Sequence, residues 1–292
     1  MTTYYIATTG NDTTGVGSVG NPWLTLAKFL SSSASGDTCI VAAGTYTWAT
    51  ATITSRTIRG PSSDNPAIFD GAGAAVRWAL LGAVVLQNLK FQNMNHAAAL
   101  DAAFAIATAA SISVEKCIFT NIAVSSDTVN GRGGLFSTNS LEAVTFTIFF
   151  SGCAFNDITS SASGGYIIGA SRNSGAQTQS YIFENCIFLA ITATNALDYF
   201  TRTESSGSDS AITVEITNCI FYNNTGTTIT LYAFVFGGAK DTITYAYSCA
   251  YNMTTVPSGT GNITSDPLFV DAAAGNFELR QDSPCINAGT LA

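Results

Sequence analysis

The chain has 292 residues, enough for one large domain or two small ones and for a sizeable buried core. Charged residues make up 10% of it, where an ordinary soluble domain carries roughly 25%. A net charge of −8 with only 11 Lys+Arg excludes the cationic footprint of a nucleic-acid binder, and no apolar run reaches the ~18 residues that a membrane-spanning helix needs.

The opening M-T-T-Y-Y-I-A has no basic stretch, and the first lysine is Lys28, so no secretory signal peptide is expected. Export would then require a leader removed beforehand or release by lysis, as from a virus particle. Asn21 is placed to cap a short helix with Pro22 as its first residue. Trp23, Leu26, Ala27 and Leu30 would share one apolar face of that helix and plug the first layer of the core. Residues 1–35 are thus expected to form an N-terminal cap, 36–264 the body and 265–292 a closing segment of one structural domain.

The body repeats itself. N-L-K-F-Q-N from Asn88, K-C-I-F-T-N from Lys116, G-C-A-F-N-D from Gly152, N-C-I-F-L-A from Asn185, N-C-I-F-Y-N from Asn218 and S-C-A-Y-N-M from Ser248 are variations on six letters. Leu89, Cys117, Cys153, Cys186, Cys219 and Cys249 follow one another at separations of 28, 36, 33, 33 and 30 residues. Such periods indicate a repeat architecture. Within each unit the apolar residues alternate, Cys219 with Phe221 for example, which is a strand pattern and not a helical one. A second alternating run precedes each unit, as in Ile212–Thr217, and a third follows, as in Tyr232–Phe236. Three short strands per repeat predict an all-β fold, a single-stranded right-handed parallel β-helix of about seven or eight coils, with a short N-terminal capping helix. The repeated letters would be rungs of its core.

Seven cysteines, a single histidine (His96) and no CxxC argue against a metal site and for buried reduced thiols. Neither a metal nor another cofactor is expected. Asn93, Asn121, Asp157 and Asn223 each stand two residues after the core aromatic, where an internal ladder of polar side chains would satisfy turn backbone groups.

The two ends carry a resemblance. Tyr4–Gly15, Asn21–Leu30 and Gly36–Thr47 look like the opening of many bacterial and phage β-helix proteins. Asp266–Asp271 with Gly275–Gly289 is similar to their closing coil. The chain therefore resembles the right-handed parallel β-helix, pectate-lyase-like superfamily along nearly its whole length. That superfamily holds lyases, hydrolases, adhesins and tail spikes, so the resemblance implies a fold more than an activity.

The outward positions of the Cys strands are more specific. Lys90, Ile118, Ala154, Ile187, Ile220 and Ala250 form one row, and Gln92, Thr120, Asn156, Leu189, Tyr222 and Asn252 the next. At Ile187, Leu189, Ile220 and Tyr222 the surface is apolar. That patch calls for a covering loop or a second copy of the chain, trimeric as in tail spikes. No carboxylate pair or His-Gly motif of the polygalacturonase type occurs. Arg132, Asn139, Arg172, Asp198, Arg202 and Glu204 make the nearest polar constellation, a candidate carbohydrate-binding group on the strands after the Cys strands. Together these features predict an extracellular or virion-surface β-helix that presents a glycan-contact surface with weak or absent catalysis. A polysaccharide lyase or glycoside hydrolase is the alternative. Thr-rich strands such as Thr50–Thr54 raise ice binding as a minor one, although their Thr pairs do not recur at one register.

Overall fold

The structure is a computed structural model. It describes residues 1–95, 102–106, 110–124, 134–138, 145–160, 167–172, 178–193, 197–204, 211–224, 229–234, 242–253, 258–272 and 276–290. Three parallel sheets wind together as a β-helix. Each coil contributes one strand to the first sheet, then one to the sheet that carries the Cys-x-aromatic motif (the Cys sheet), then one to a third. A representative coil runs through Ala110–Glu115, Ile118–Val124 and Phe136–Thr138. The next runs through Phe146–Ser151, Ala154–Ser160 and Ile168–Arg172. The third sheet has 7 strands and so closes seven such coils among the described residues. Thr3–Ile6 adds a strand to the starting edge of the first sheet by pairing in parallel with Thr38–Val41.

The register explains the repeated letters. Phe69, Phe91, Phe119, Phe155, Phe188 and Phe221 pair in succession across the Cys sheet. Their rings stack, from 5.7 Å and 17° for Phe69–Phe91 to 4.5 Å and 3° for Phe188–Phe221. All six lie in the core at 1% exposure or less. Alternation forces this arrangement: an inward position in one coil meets the same inward position in the next.

The cysteines stack beside them. The amides of Ala154, Ile187 and Ile220 donate to the carbonyls of Cys117, Cys153 and Cys186, each at 2.9 Å, which sets these residues on successive coils. Four of the thiols donate to a carbonyl of the preceding coil's first-sheet strand. Cys117 reaches Leu86 O at 3.5 Å, Cys153 Val114 O at 3.2 Å, Cys186 Phe150 O at 3.6 Å and Cys219 Phe183 O at 3.5 Å. Burial raises the pKa of Cys117, Cys153 and Cys186 well above the ordinary thiol value, which keeps them protonated donors. All seven cysteines are free.

The first and last letters of the motif are the corners. Asn88, Lys116, Gly152, Asn185 and Asn218 precede the Leu or Cys with φ between 51° and 62°. Asn93, Asn121, Asp157, Ala190, Asn223 and Asn252 follow it with φ between 48° and 60°. The last coil runs one residue out of the sequence alignment: Cys249 pairs with Ile220 and Ala250 with Phe221, so Ser248 takes the Cys position and Tyr247, at φ 51°, is its corner. Asparagine tolerates this left-handed region better than most residues, hence its recurrence. The expected internal polar ladder is corrected here. Asn121, Asp157 and Asn223 are exposed and Asn93 half-buried, because the left-handed residue turns its side chain out of the coil.

The capping helix exists but begins later than expected, at Leu26–Ser32 with Thr25 as N-cap. Asn21–Trp23 are held in extended pairing instead. Trp23 N donates to Tyr5 O, Ala7 N donates to Trp23 O, and the Trp23 ring stacks on Tyr4 at 4.8 Å. Asp12 fixes the start of the helix. Its carboxylate accepts from Leu24 N and Thr25 N, and from the Thr25 hydroxyl at 2.7 Å. Leu26 and Phe29 are the buried face, whereas Ala27 is exposed.

Candidate functional site

The outward row of the Cys sheet runs Asp70, Gln92, Thr120, Asn156, Leu189, Tyr222 in continuous register. It changes character halfway. The first four positions are polar and half-buried; Leu189 is only 4% exposed and Tyr222 half-buried.

In the polar half the side chains hold one another. Asp70 accepts from Ala72 N at 2.8 Å, from Gln92 Nε2 at 2.8 Å and from Asn93 Nδ2 at 2.7 Å. Asn121 Nδ2 then donates to Asn93 Oδ1 at 2.6 Å, and Asn156 Nδ2 to Thr120 Oγ1 at 3.4 Å. Partial burial of Asp70 opposes ionisation. The donors Gln92, Ala72 N and Asn93, with Lys90 nearby, outweigh it and hold the carboxyl below its ordinary value of 3.8. Beside this network lies a shallow groove of about 410 Å³. Gly73, Asn93, Asn95, Asn121 and Thr159 are among its walls. The result is a polar shelf of amides and hydroxyls with one carboxylate held below its ordinary pKa. It offers hydrogen bonds in fixed directions.

The apolar half has an intramolecular cover. Tyr222 stacks on Tyr251 at 5.6 Å and meets Phe269 edge-on at 5.2 Å, and Phe269 in turn touches Phe277 at 5.8 Å. The chain's own C-terminal segment thus returns over the Tyr222 end of the stripe. Ile187 and Ile220 stay half-buried. Ile187 pairs with Ile220 and Leu189 with Tyr222, and a folded-back segment covers the Tyr222 end of this row.

The predicted carbohydrate-binding group is placed only in part. Arg132 and Asn139, and likewise His96, lie outside the described residues. Arg172 pairs in register with Glu204, Arg202 with Ala170 and Asp198 with Thr230, so Arg172 and Glu204 stand on neighbouring coils of the third sheet. Asp70, at the centre of the polar shelf, escaped the sequence reading. Its coil, A-I-F-D-G, comes before the Leu89 marker, although Phe69 followed by a polar residue was the signal. Among the described residues, no group of three or more His, Cys, Asp or Glu side chains is arranged to hold a metal. No helix there is long and apolar enough to cross a membrane.

No family model and no curated protein matches the chain. Solved structures similar to it include a rhamnogalacturonan lyase, 14% identical, covering 87% of this chain and 69% of that one at a TM-score of 0.47. A pectate lyase is 13% identical over 100% of this chain and 92% of its own, with a TM-score of 0.39. An alginate lyase is 11% identical over 90% and 40%, with a TM-score of 0.37. At these identities and TM-scores the likeness carries no chemistry over to this chain, which is itself a parallel β-helix built from three sheets.

Proposed function

We propose that the protein is an extracellular or virion-surface β-helix, of phage-tail or adhesin type, that contacts glycans through its Cys sheet and cleaves them weakly or not at all. The observation that carries this reading is the Asp70–Gln92–Asn93–Asn121 network beside the 410 Å³ groove. Amides fixed by their neighbours recognise hydroxyl-rich ligands with little ordering cost. A carboxylate held by three donors is a poor general acid, and glycoside hydrolysis asks for a carboxyl that keeps its proton.

A glycan panel tests it on two channels, binding and product. The expected result is binding to a subset of glycans, weakened at least tenfold by Gln92→Ala or Asn121→Ala, without new reducing ends or unsaturated-uronate absorbance. Product formation that survives those substitutions and disappears in Arg202→Ala or Glu204→Ala would move the function to the third sheet. The protein would then be a lyase or hydrolase. The register of Arg172 with Glu204 is what favours that second reading.

A further inference from the structure

The hydrogen bonds of the polar shelf all run one way. Asn121 Nδ2 donates to Asn93 Oδ1, while Asn93 Nδ2 and Gln92 Nε2 both donate to Asp70 Oδ2. One coil further, Asn156 Nδ2 donates back to Thr120 in the same sense. A carboxylate accepts and cannot donate, so Asp70 fixes the polarity of the whole row. Amide N–H groups are drawn toward it, and Gln92 Oε1 and Asn121 Oδ1 accept in none of these bonds. They are the acceptors that the row presents to a ligand.

Charge reinforces that polarity. The polar walls of the 410 Å³ groove are Asn93, Asn95, Asn121 and Thr159, and none of the residues lining it is charged. Carboxylate side chains stand at both ends of the amide row. Asp70 holds Gln92 and Asn93 at one end. Asp157 is exposed at the other, on the coil after Asn121, between the paired positions Thr120–Asn156 and Ile122–Ile158. Lys90, the cation that helps to hold Asp70 ionised, lies two residues before Gln92 and pairs with Ile68 and Ile118. The groove begins on the other side of Gln92, at Asn93.

Given the glycan-binding reading of the Cys sheet, on which this step rests, we infer that the groove selects uncharged, hydroxyl-rich glycans and turns away those that carry carboxylate or sulfate groups. A sugar hydroxyl donates to an amide carbonyl and still accepts from an amide N–H. A carboxylate or sulfate brings acceptors alone. Set against Gln92 Oε1 and Asn121 Oδ1, it leaves acceptors facing acceptors, all of which have lost water. Between Asp70 and Asp157 it also meets like charge, and the chain's net charge of −8 adds long-range repulsion.

The full chain is applied to a glycan array that pairs neutral glycans with acidic counterparts of the same backbone. Dextran with dextran sulfate and methyl-esterified galacturonan with its free acid are two such pairs. The binding that is lost in Gln92→Ala and Asn121→Ala is expected to be to neutral members, with each acidic counterpart weaker by about tenfold or more. Asp70→Asn keeps an acceptor for Gln92 and Asn93 but removes the charge, so it should narrow that gap by about threefold or more. Raising the salt from about 0.05 M to about 0.5 M should narrow it as well. An acidic glycan that binds as tightly as its neutral counterpart, and is lost in Gln92→Ala, would overturn the inference and leave the glycan-binding reading standing. So would a gap that neither Asp70→Asn nor salt changes. An array on which no binding depends on Gln92 or Asn121 would instead sink the glycan-binding reading of the Cys sheet, and this inference with it.

Discussion

Asn121 donates its side-chain amide to Asn93 across one coil at 2.6 Å, and both residues hold left-handed backbone, at φ 51° and 55°. One residue type thus serves the corner and the outward ladder together. In Asn121→Ala the left-handed strain and the lost bond should cost about 1–2 kcal/mol. Ala190 occupies the equivalent corner at φ 48°. Ala190→Asn should therefore move the other way and stabilise by about 0.5–1 kcal/mol. Urea denaturation of the two variants side by side decides the matter. Changes of the same sign would mean that backbone conformation does not govern these corners.

The stacked rings give a second prediction. Phe188 lies between Phe155, at 4.9 Å, and Phe221, at 4.5 Å, and all three are fully buried. Phe188→Ala removes a ring in contact above and below, so neighbouring coils cannot collapse into the cavity without breaking register. The cost should be about 3–5 kcal/mol, measured by chemical denaturation. A loss below about 1 kcal/mol would be incompatible with a rung of the core.

How much of this was legible in the sequence depended on how local its cause was. The Cys-x-Phe rungs could be read because each coil must offer the next one the same inward face. The three strands of each repeat could be read for the same reason. The capping pattern at Asn21 and Pro22 places the helix four residues before its start at Leu26. Nothing between Asn21 and Trp23 reveals that Tyr5 and Ala7 hold their backbone in extended pairing. Strict alternation puts the Asn ladder inside, but the positive φ of these residues reverses it. The cover over Tyr222 comes from Phe269, 47 positions further along the chain, and no periodicity links the two.

Asp70 predicts a dependence on acid. Its folded pKa lies below the ordinary carboxylate value, because the donors Gln92, Ala72 N and Asn93 outweigh the burial that opposes them. A depressed folded pKa contributes stability that is present above the unfolded pKa. It is lost as the pH falls through the folded pKa. Wild-type stability should therefore decline below about pH 4. Asp70→Asn, which has no charge to lose, should show a shallower decline. Melting temperatures collected from pH 2 to 6 supply the test, and parallel curves for the two proteins would show that Asp70 is not held ionised by the fold.

Phe269 and Tyr222 decide what the apolar half of the stripe is for. The edge-on ring of Phe269 and the stacked ring of Tyr251 shelter Tyr222 at one end of the row, while Ile187 and Ile220 stay half-buried. Phe269→Ser removes the cover without touching the row itself. Newly exposed apolar surface should then drive concentration-dependent self-association, visible by light scattering at micromolar protein, and adding Tyr222→Ser should reverse it. The same measurement on the wild type tests whether the row also takes a second copy of the chain. A subunit interface through Ile187, Leu189, Ile220 and Tyr222 predicts a mass above one chain that Ile220→Asp returns to one. A wild-type monomer that associates only as Phe269→Ser would instead assign the stripe to the C-terminal segment. The hydrophobic surface that the sequence shows would then be the seat of the chain's own closing turn.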